Sequence, residues 1–189
     1  ANAFLNSTIS ISQLEKAMVL GKLGEQIVAI SKKAFDALSV GGRNFAQNTS
    51  SDWVGVAFRD VTPSNYCIYN RNALVDGEVG DVLTYRLELR LTDMQVVSGK
   101  TNGTVKLQGS GDVTAWNSGT FSGNGYAIQP GDSNITIIGK ITLSESHLKN
   151  SYWKTNLRLD NVVSGTVEVR NYMFEKGTLN SSWSPAPED

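Results

Sequence analysis

From Arg43 onward the apolar residues recur at every second position. The clearest run is Leu83, Tyr85, Leu87, Leu89 and Leu91, alternating with Thr84, Arg86, Glu88 and Arg90. A strand sends successive side chains to opposite faces, so this spacing predicts a strand with one buried face. Residues 134–143 repeat it with Ile135, Ile137, Gly139 and Ile141, and residues 153–159 with Trp153, Thr155, Leu157 and Leu159. In 165–174, Val167, Val169 and Met173 are set against outward Glu168 and Arg170. Shorter stretches at 53–59, 66–69, 104–108 and 126–128 have the same character. Turn chemistry at Asp76-Gly77, Asn102-Gly103 and Pro130-Gly131 separates them. Eight such strands predict an all-β sandwich, in the form of a two-sheet jelly roll.

Residues 1–40 follow another pattern. They hold no Pro, Trp or Tyr, and Ala, Ile, Leu, Lys and Glu are prominent, up to the Gly41-Gly42 pair. The shift predicts a helical stem over 1–41 joined to a β domain over 42–189. Ser12, with Glu15 three residues on, matches a capping box. Leu20, Leu23, Ile27, Ile30, Ala34 and Ala37 follow the 3-4 spacing of a coiled-coil seam, with Ile11, Leu14 and Met18 in another register. Gly21 and Gly24 each cost about 1 kcal/mol of helix propensity against Ala. Two outcomes fit this segment: a helix packed on its own domain, or self-association through Leu20, Leu23, Ile27 and Ile30. Ile at both core positions favours a trimer over a dimer.

Composition narrows the chemistry. The 189 residues carry 17 Lys+Arg against 18 Asp+Glu, a net charge of -1, which argues against a phosphate-tracking nucleic-acid surface. Hydrophobic content of 40% suffices for a buried core. One Cys and one His cannot supply a disulfide framework or a soft-ligand zinc site. No apolar run reaches the roughly 20 residues of a membrane helix. The opening ANAFLNSTIS lacks the basic and apolar regions of a signal peptide. The expectation is a chain without membrane insertion, redox chemistry or cofactor.

No strand–GxSxG–helix elbow, P-loop or HExxH occurs. His147 lies in a polar stretch and reads as a surface-loop residue; Cys67 reads as a buried structural thiol. Glu78, Asp81, Glu88, Asp93 and Asp112 are available for glycoside cleavage, which needs two carboxylates at a set separation, but acids on alternating strands usually face solvent. The oxygen-rich stretch 76–81 suits a structural calcium ion or a hairpin turn equally. The remaining signal is aromatic and amide-rich. Sugars stack their CH faces on aromatic rings and hydrogen-bond short polar side chains. Trp116, followed by Asn117 among small polar residues, is the leading platform, and Trp53, Tyr66 and Tyr126 keep similar company. Packing in or at the edge of the sandwich explains these aromatics too. Trp153 falls on an apolar strand face and belongs to the core, and Trp183 is placed to clamp the C-terminal segment.

The two ends of the β domain are informative together. It opens with Gly42-Arg43-Asn44-Phe45. Towards the other end come Leu157-Arg158-Leu159-Asp160-Asn161 and residues 165–170 (GTVEVR). It closes with Phe174-Glu175-Lys176-Gly177-Thr178 and then Trp183-Ser184-Pro185-Ala186-Pro187-Glu188-Asp189. This pattern resembles the jelly-roll, carbohydrate-binding-module-like domains in tail and baseplate proteins of phages infecting Gram-positive bacteria. The accessory baseplate proteins of lactococcal and streptococcal phages are the nearest picture, with a module of a larger tail or fibre protein equally open. The resemblance implies binding to host cell-wall polysaccharide, other baseplate or tail proteins as partners, and a stem that oligomerises. It also implies a place in the virion, after assembly in the host cytoplasm. A baseplate spacer that binds no sugar, and a depolymerase, are the competing expectations.

Overall fold

The structure is a computed structural model, and it describes residues 18–28, 42–64, 66–110, 125–149 and 152–189. The chain divides into two compact units, Ala1–Leu38 and Ser39–Asp189. In the first, a helix (α1) spans 18–28. Leu20, Leu23 and Ile27 on it are 67%, 50% and 57% exposed. Ser12, Glu15, Ile30, Ala34 and Ala37 lie outside the described residues.

The second unit is a β-sandwich of two four-stranded antiparallel sheets. Its strands are β1 (Val54–Phe58), β2 (Tyr66–Leu74), β3 (Val82–Val96), β4 (Thr104–Ser110), β5 (Tyr126–Ala127), β6 (Asn134–Thr142), β7 (Tyr152–Asp160) and β8 (Val162–Lys176). One sheet runs β1-β8-β3-β6 and the other β2-β7-β4-β5. Every strand expected from the alternation is present. Leu83, Tyr85, Leu87, Leu89 and Leu91 line the core, opposite Ile135, Ile137, Gly139 and Ile141 of β6. Trp153, Thr155, Leu157 and Leu159 fill it from the other sheet. Gly139 faces Tyr85, and a Cβ there would stand 2.3 Å from the phenol ring.

Four register shifts break strict alternation, and three of them centre on a residue with left-handed backbone. β8 carries an extra residue against β3 at Asn171, whose φ is 51°. The bulge shifts the inward positions from Val167 and Val169 to Tyr172 and Phe174, so Met173, expected to continue the inward series, is buried outside the main core cluster. β2 does the same at Tyr69 (φ 54°) against β7, and β3 at Asp93 (φ 52°) near its end. Two turns also fall elsewhere than expected. They form at Val79-Gly80 and Ser98-Gly99, where the glycines supply φ of 96° and 80°. Pro130-Gly131 turns as anticipated, with the Asp132 amide donating to the Gln129 carbonyl at 3.1 Å.

Candidate functional site

The predicted aromatic contacts fall in different places. Trp116 and Asn117 lie outside the described residues. Tyr66, opposite Leu159, packs half-buried on the core with its ring 5.3 Å from Phe58. Tyr126, opposite Val105, also packs on the core, and its hydroxyl donates to Asp132 Oδ2 at 3.0 Å. That hydrogen bond is the main reason its pKa is raised. These two tyrosines sit on opposite edge strands of one sheet, whereas Trp53 precedes the edge strand of the other. The fold does not gather the three into one platform.

Trp53 belongs to a built array on the outer face of the β1-β8-β3-β6 sheet. Inward Val56, Val167 and Leu91 fix the parity, so Gly55, Glu168 and Arg90 form one outward row and Ala57, Thr166 and Thr92 the next. Arg170 and Glu88 form the row on the other side, beside Trp53. The guanidinium carbons of Arg90 and Arg170 lie 4.3 and 4.4 Å from the indole centroid. Such cation–π contacts contribute about 0.5–2 kcal/mol. Arg90 bridges to Glu168 at 3.1 Å, while Glu88 receives Arg170 at 2.8 Å and Arg86 at 2.9 Å. Burial pushes Glu88 up, but hydrogen bonds from Arg170, Asn171 and Arg86 outweigh it and hold its pKa below the ordinary value. Each charge fixes its neighbour's rotamer, and together they hold the indole half-exposed.

This array runs into a cleft of about 910 Å³ at the end of the sheet. Arg59, Asp60, Asp93, Gln95, Ser164 and Thr166 give it a polar lining, with Ala57, Phe58, Met94 and Gly165 between them. Asp60 and Asp93 both adopt left-handed backbone, at φ 53° and 52°. Non-glycine residues hold such angles at a cost, and they cluster at sites where a side chain must be aimed. Between Trp53 and the cleft, β1 carries only Gly55 and Ala57 on its outer side, and the Glu168 side chain, paired with Arg90, lies against Gly55. Four residues of strand span about 13 Å. The result is a shallow trough with an aromatic ring at one end, the Arg90–Glu168 pair along it and polar side chains at the other. A second cleft of about 530 Å³ shares Asp93 and Met94 with it.

The outer face of the other sheet is also polar. Arg158 chelates Asp160 through three contacts of 2.9–3.0 Å, and Gln108 Nε2 donates to Cys67 Sγ at 3.4 Å. Cys67 is thus half-exposed on this face and not the buried thiol the strand pattern suggested, because its neighbours Tyr66 and Ile68 take the inward positions. Burial still raises its pKa, opposed by Arg158. His147 sits half-buried in the connection between β6 and β7. It starts a 3-10 turn (His147–Lys149), its Nδ1 accepts from the Ser144 amide at 3.0 Å, and its ring lies 5.7 Å from Trp153. Burial lowers its pKa.

The residues that carry the family resemblance meet in a clamp between the two ends of the β domain. Asn44 is fully buried, and its Nδ2 reaches the Tyr172 and Ser184 carbonyls at 3.0 Å and Thr49 Oγ1 at 3.1 Å. Its Oδ1 accepts the Phe174 and Ala46 amides at 3.0 and 3.1 Å. Arg43 pairs with Glu188, Asp189 accepts the Asn48 amide at 2.7 Å, and Trp183 Nε1 donates to Thr49 Oγ1 at 2.9 Å. Glu175, fully buried, accepts from the Ser181 amide and hydroxyl at 2.6 and 2.7 Å. Lys176 pairs with Asp81 at 2.6 Å, and this bond holds the Asp81 pKa low. Asp81 Oδ2 also accepts the Glu78 amide at 2.7 Å, so the acidic stretch is organised as a turn. Among the described residues, no three His, Cys, Asp or Glu side chains gather as a metal site would require.

Sequence reasoning had marked Trp53 but missed its partners as a site. The alternation placed Arg90, Glu168 and Arg170 outward, yet their convergence depends on the pairing of β3 with β8. Asp93 stands out in the sequence only as one of several available acids, and Asp60 carries no local signal.

No known protein family and no curated protein matches the chain. Among solved structures it is similar to the sugar-binding EclA C-terminal domain (11% identity, TM-score 0.40, 67% of this chain and 81% of that one). It is also similar to the tripod from the baseplate of bacteriophage Tuc2009 (14% identity, TM-score 0.41, 80% of this chain and 60% of that one). A third similar structure is the CBM22-1 xylan-binding domain of Paenibacillus barcinonensis Xyn10C (11% identity, TM-score 0.32, 76% of this chain and 99% of that one).

Proposed function

We propose that the sandwich is a jelly-roll, non-catalytic glycan-binding head of a phage tail or baseplate, attaching the virion to host cell-envelope saccharide. The observation that carries the reading is the trough from Trp53 to the Asp60–Asp93 cleft. It combines a half-exposed indole held by two guanidiniums with a polar end, the Arg90–Glu168 pair lying between them. An indole stacks a pyranose ring, and Asp, Gln, Ser and Thr side chains bind its hydroxyls. The phage context rests on the motifs that form the clamp.

In this reading Trp53 is the first contact to test, with Trp116 and Asn117 as further contacts. Tyr66 and Tyr126, packed on the core, act by holding the edge strands in place. Leu20, Leu23 and Ile27, exposed on α1, continue with Ile30 as the seam of a trimeric stem. Linked copies of a shallow site raise avidity by roughly 10²–10⁴.

The test is binding of fluorescently labelled protein to susceptible and polysaccharide-deficient host cells, with the oligomeric state measured by light scattering. Binding that disappears with the polysaccharide and falls at least tenfold in Trp53→Ala is the expected result. A folded protein in its native oligomeric state that ignores the cells would instead mark a baseplate spacer.

A further inference from the structure

A strand at a sheet edge presents a row of N–H and C=O groups that another strand can take up, and folds usually blunt such edges. Among the described residues the two sheets have β1, β6, β2 and β5 as their edges. β5 is two residues long and β1 five. β2 is broken by the bulge at Tyr69 and carries a covering segment: Ala46 bridges to Ala73, the Gln47 amide donates to the Asn72 carbonyl at 2.8 Å, and the Leu74 amide to the Phe45 carbonyl at 3.2 Å. β6 is neither short nor broken. It runs nine residues without Pro, and its register with β3 is continuous from Thr142 opposite Val82 to Asn134 opposite Arg90. Lys140 is its sole charged residue, and Ile138, at its midpoint, is 61% exposed. The Leu91 amide donates to the Ser133 carbonyl at 2.7 Å and the Leu143 amide to the Asp81 carbonyl at 2.8 Å, so odd-numbered positions of β6 turn their backbone groups to β3. Thr136 and Ile138 therefore turn theirs the other way, to the edge.

We propose that β6 pairs with β6 of a second copy of this chain, antiparallel about a twofold axis through Ile138. Parity and length select that register. Full overlap of residues 134–142 with their own reverse sets Ile138 opposite Ile138, Thr136 opposite Lys140 and Ile137 opposite Gly139. Centring one step away would bring odd-numbered residues, whose groups β3 already takes, to the pairing positions. Centring on Lys140 would set like charges face to face, and centring on Thr136 would leave 139–142 uncovered. At Ile138 the two exposed isoleucines cover each other, and the inward series of Ile135, Ile137, Gly139 and Ile141 continues across the axis. A twofold contact requires this kind of self-complementarity. The axis stands perpendicular to the sheet, so the two outer faces, and the Trp53 array on each, look the same way. From β1 of one copy to β1 of the other is seven interstrand steps, roughly 34 Å.

The test is light scattering of the full chain over a roughly hundredfold range of concentration, with amide hydrogen exchange at both extremes. The expected result is an assembly that grows with concentration and reaches about twice the mass of Ile138→Lys or more. The Thr136 and Ile138 amides should exchange slowly in the concentrated sample and fast on dilution. Ile138→Lys replaces an exposed side chain and should keep the fold. Thr136→Lys stands beside Glu88 in its own sheet but opposite Lys140 of the second copy, so it should weaken the pairing roughly threefold or more. Equal masses for the natural chain and Ile138→Lys, or free exchange of both amides at every concentration, would overturn the proposal. Pairing indifferent to Thr136→Lys would overturn it too, by removing the register. No saccharide enters these measurements, so failure here leaves the glycan-binding reading where it stands.

Discussion

The clamp and the trough occupy one sandwich and are built by opposite rules. At the clamp, Asn44 and Glu175 are fully buried and every polar atom of their side chains has a partner. At the trough, the charged side chains are partly exposed, two aspartates sit in left-handed backbone, and a cleft stays open. A buried amide with five partners tolerates few substitutions, so it writes a sharp motif into the sequence. A solvated surface that grips a ligand through a ring and a few hydroxyl-binding groups can be made in many ways. The motifs that carry the resemblance therefore report how its ends are fastened, and the chemistry that would set its ligand lies where no motif points.

Substitution should separate the two regions. Asn44→Ala leaves two backbone amides and three acceptors without their buried partner, and unsatisfied groups of this kind cost about 1–3 kcal/mol each. Partial relaxation reduces the sum, so a loss of about 3–5 kcal/mol is expected by chemical denaturation. Saccharide binding by the fraction still folded should be unchanged. If Asn44→Ala is nearly neutral in stability, the clamp is not what fastens the domain. Trp53→Ala should do the reverse. It removes an exposed ring and its cation–π contacts, costing about 1 kcal/mol of stability, while host-cell binding falls tenfold or more. A variant that unfolds instead would make Trp53 part of the scaffold and erase the contrast.

The sequence made the sandwich legible because strand pairing and burial both follow period two, and β3, β6 and β7 keep that period over most of their length. It could not show the bulges. Tyr69, Asp93 and Asn171 look like ordinary members of their strands, and only the pairing register reveals that each is an inserted residue. The same limit hid the site. Arg90 and Arg170 were visibly outward, but their meeting over Trp53 joins residues 80 or so apart in sequence through β3–β8 pairing. For Tyr66 and Tyr126 polar sequence neighbours left two readings open, exposed platform or edge packing, and strand parity turns both towards the core while leaving them half-exposed. For Arg43, Asn44 and Glu188, the pattern was visible and its use as a fastening was not.

The finest contrast concerns pH. The carboxylate of Glu88 is held by Arg170 and Arg86, and its pKa lies below the ordinary Glu value of about 4.3. A depressed carboxylate contributes stability that is complete above its unfolded pKa and is lost as pH falls through its folded pKa. Acidification below about pH 4 should therefore loosen the trough by releasing Arg170 from Glu88. Glu88→Gln should flatten that part of the stability-versus-pH curve by lowering the plateau above about pH 6 towards the acid value. The effect is small because the arginines are partly exposed, and added salt should shrink it further. Trp53 fluorescence gives a local readout, since the indole touches the same guanidinium. A fluorescence change on acidification that persists in Glu88→Gln would place the titrating group elsewhere and detach Trp53 from the charge network that is argued to hold it.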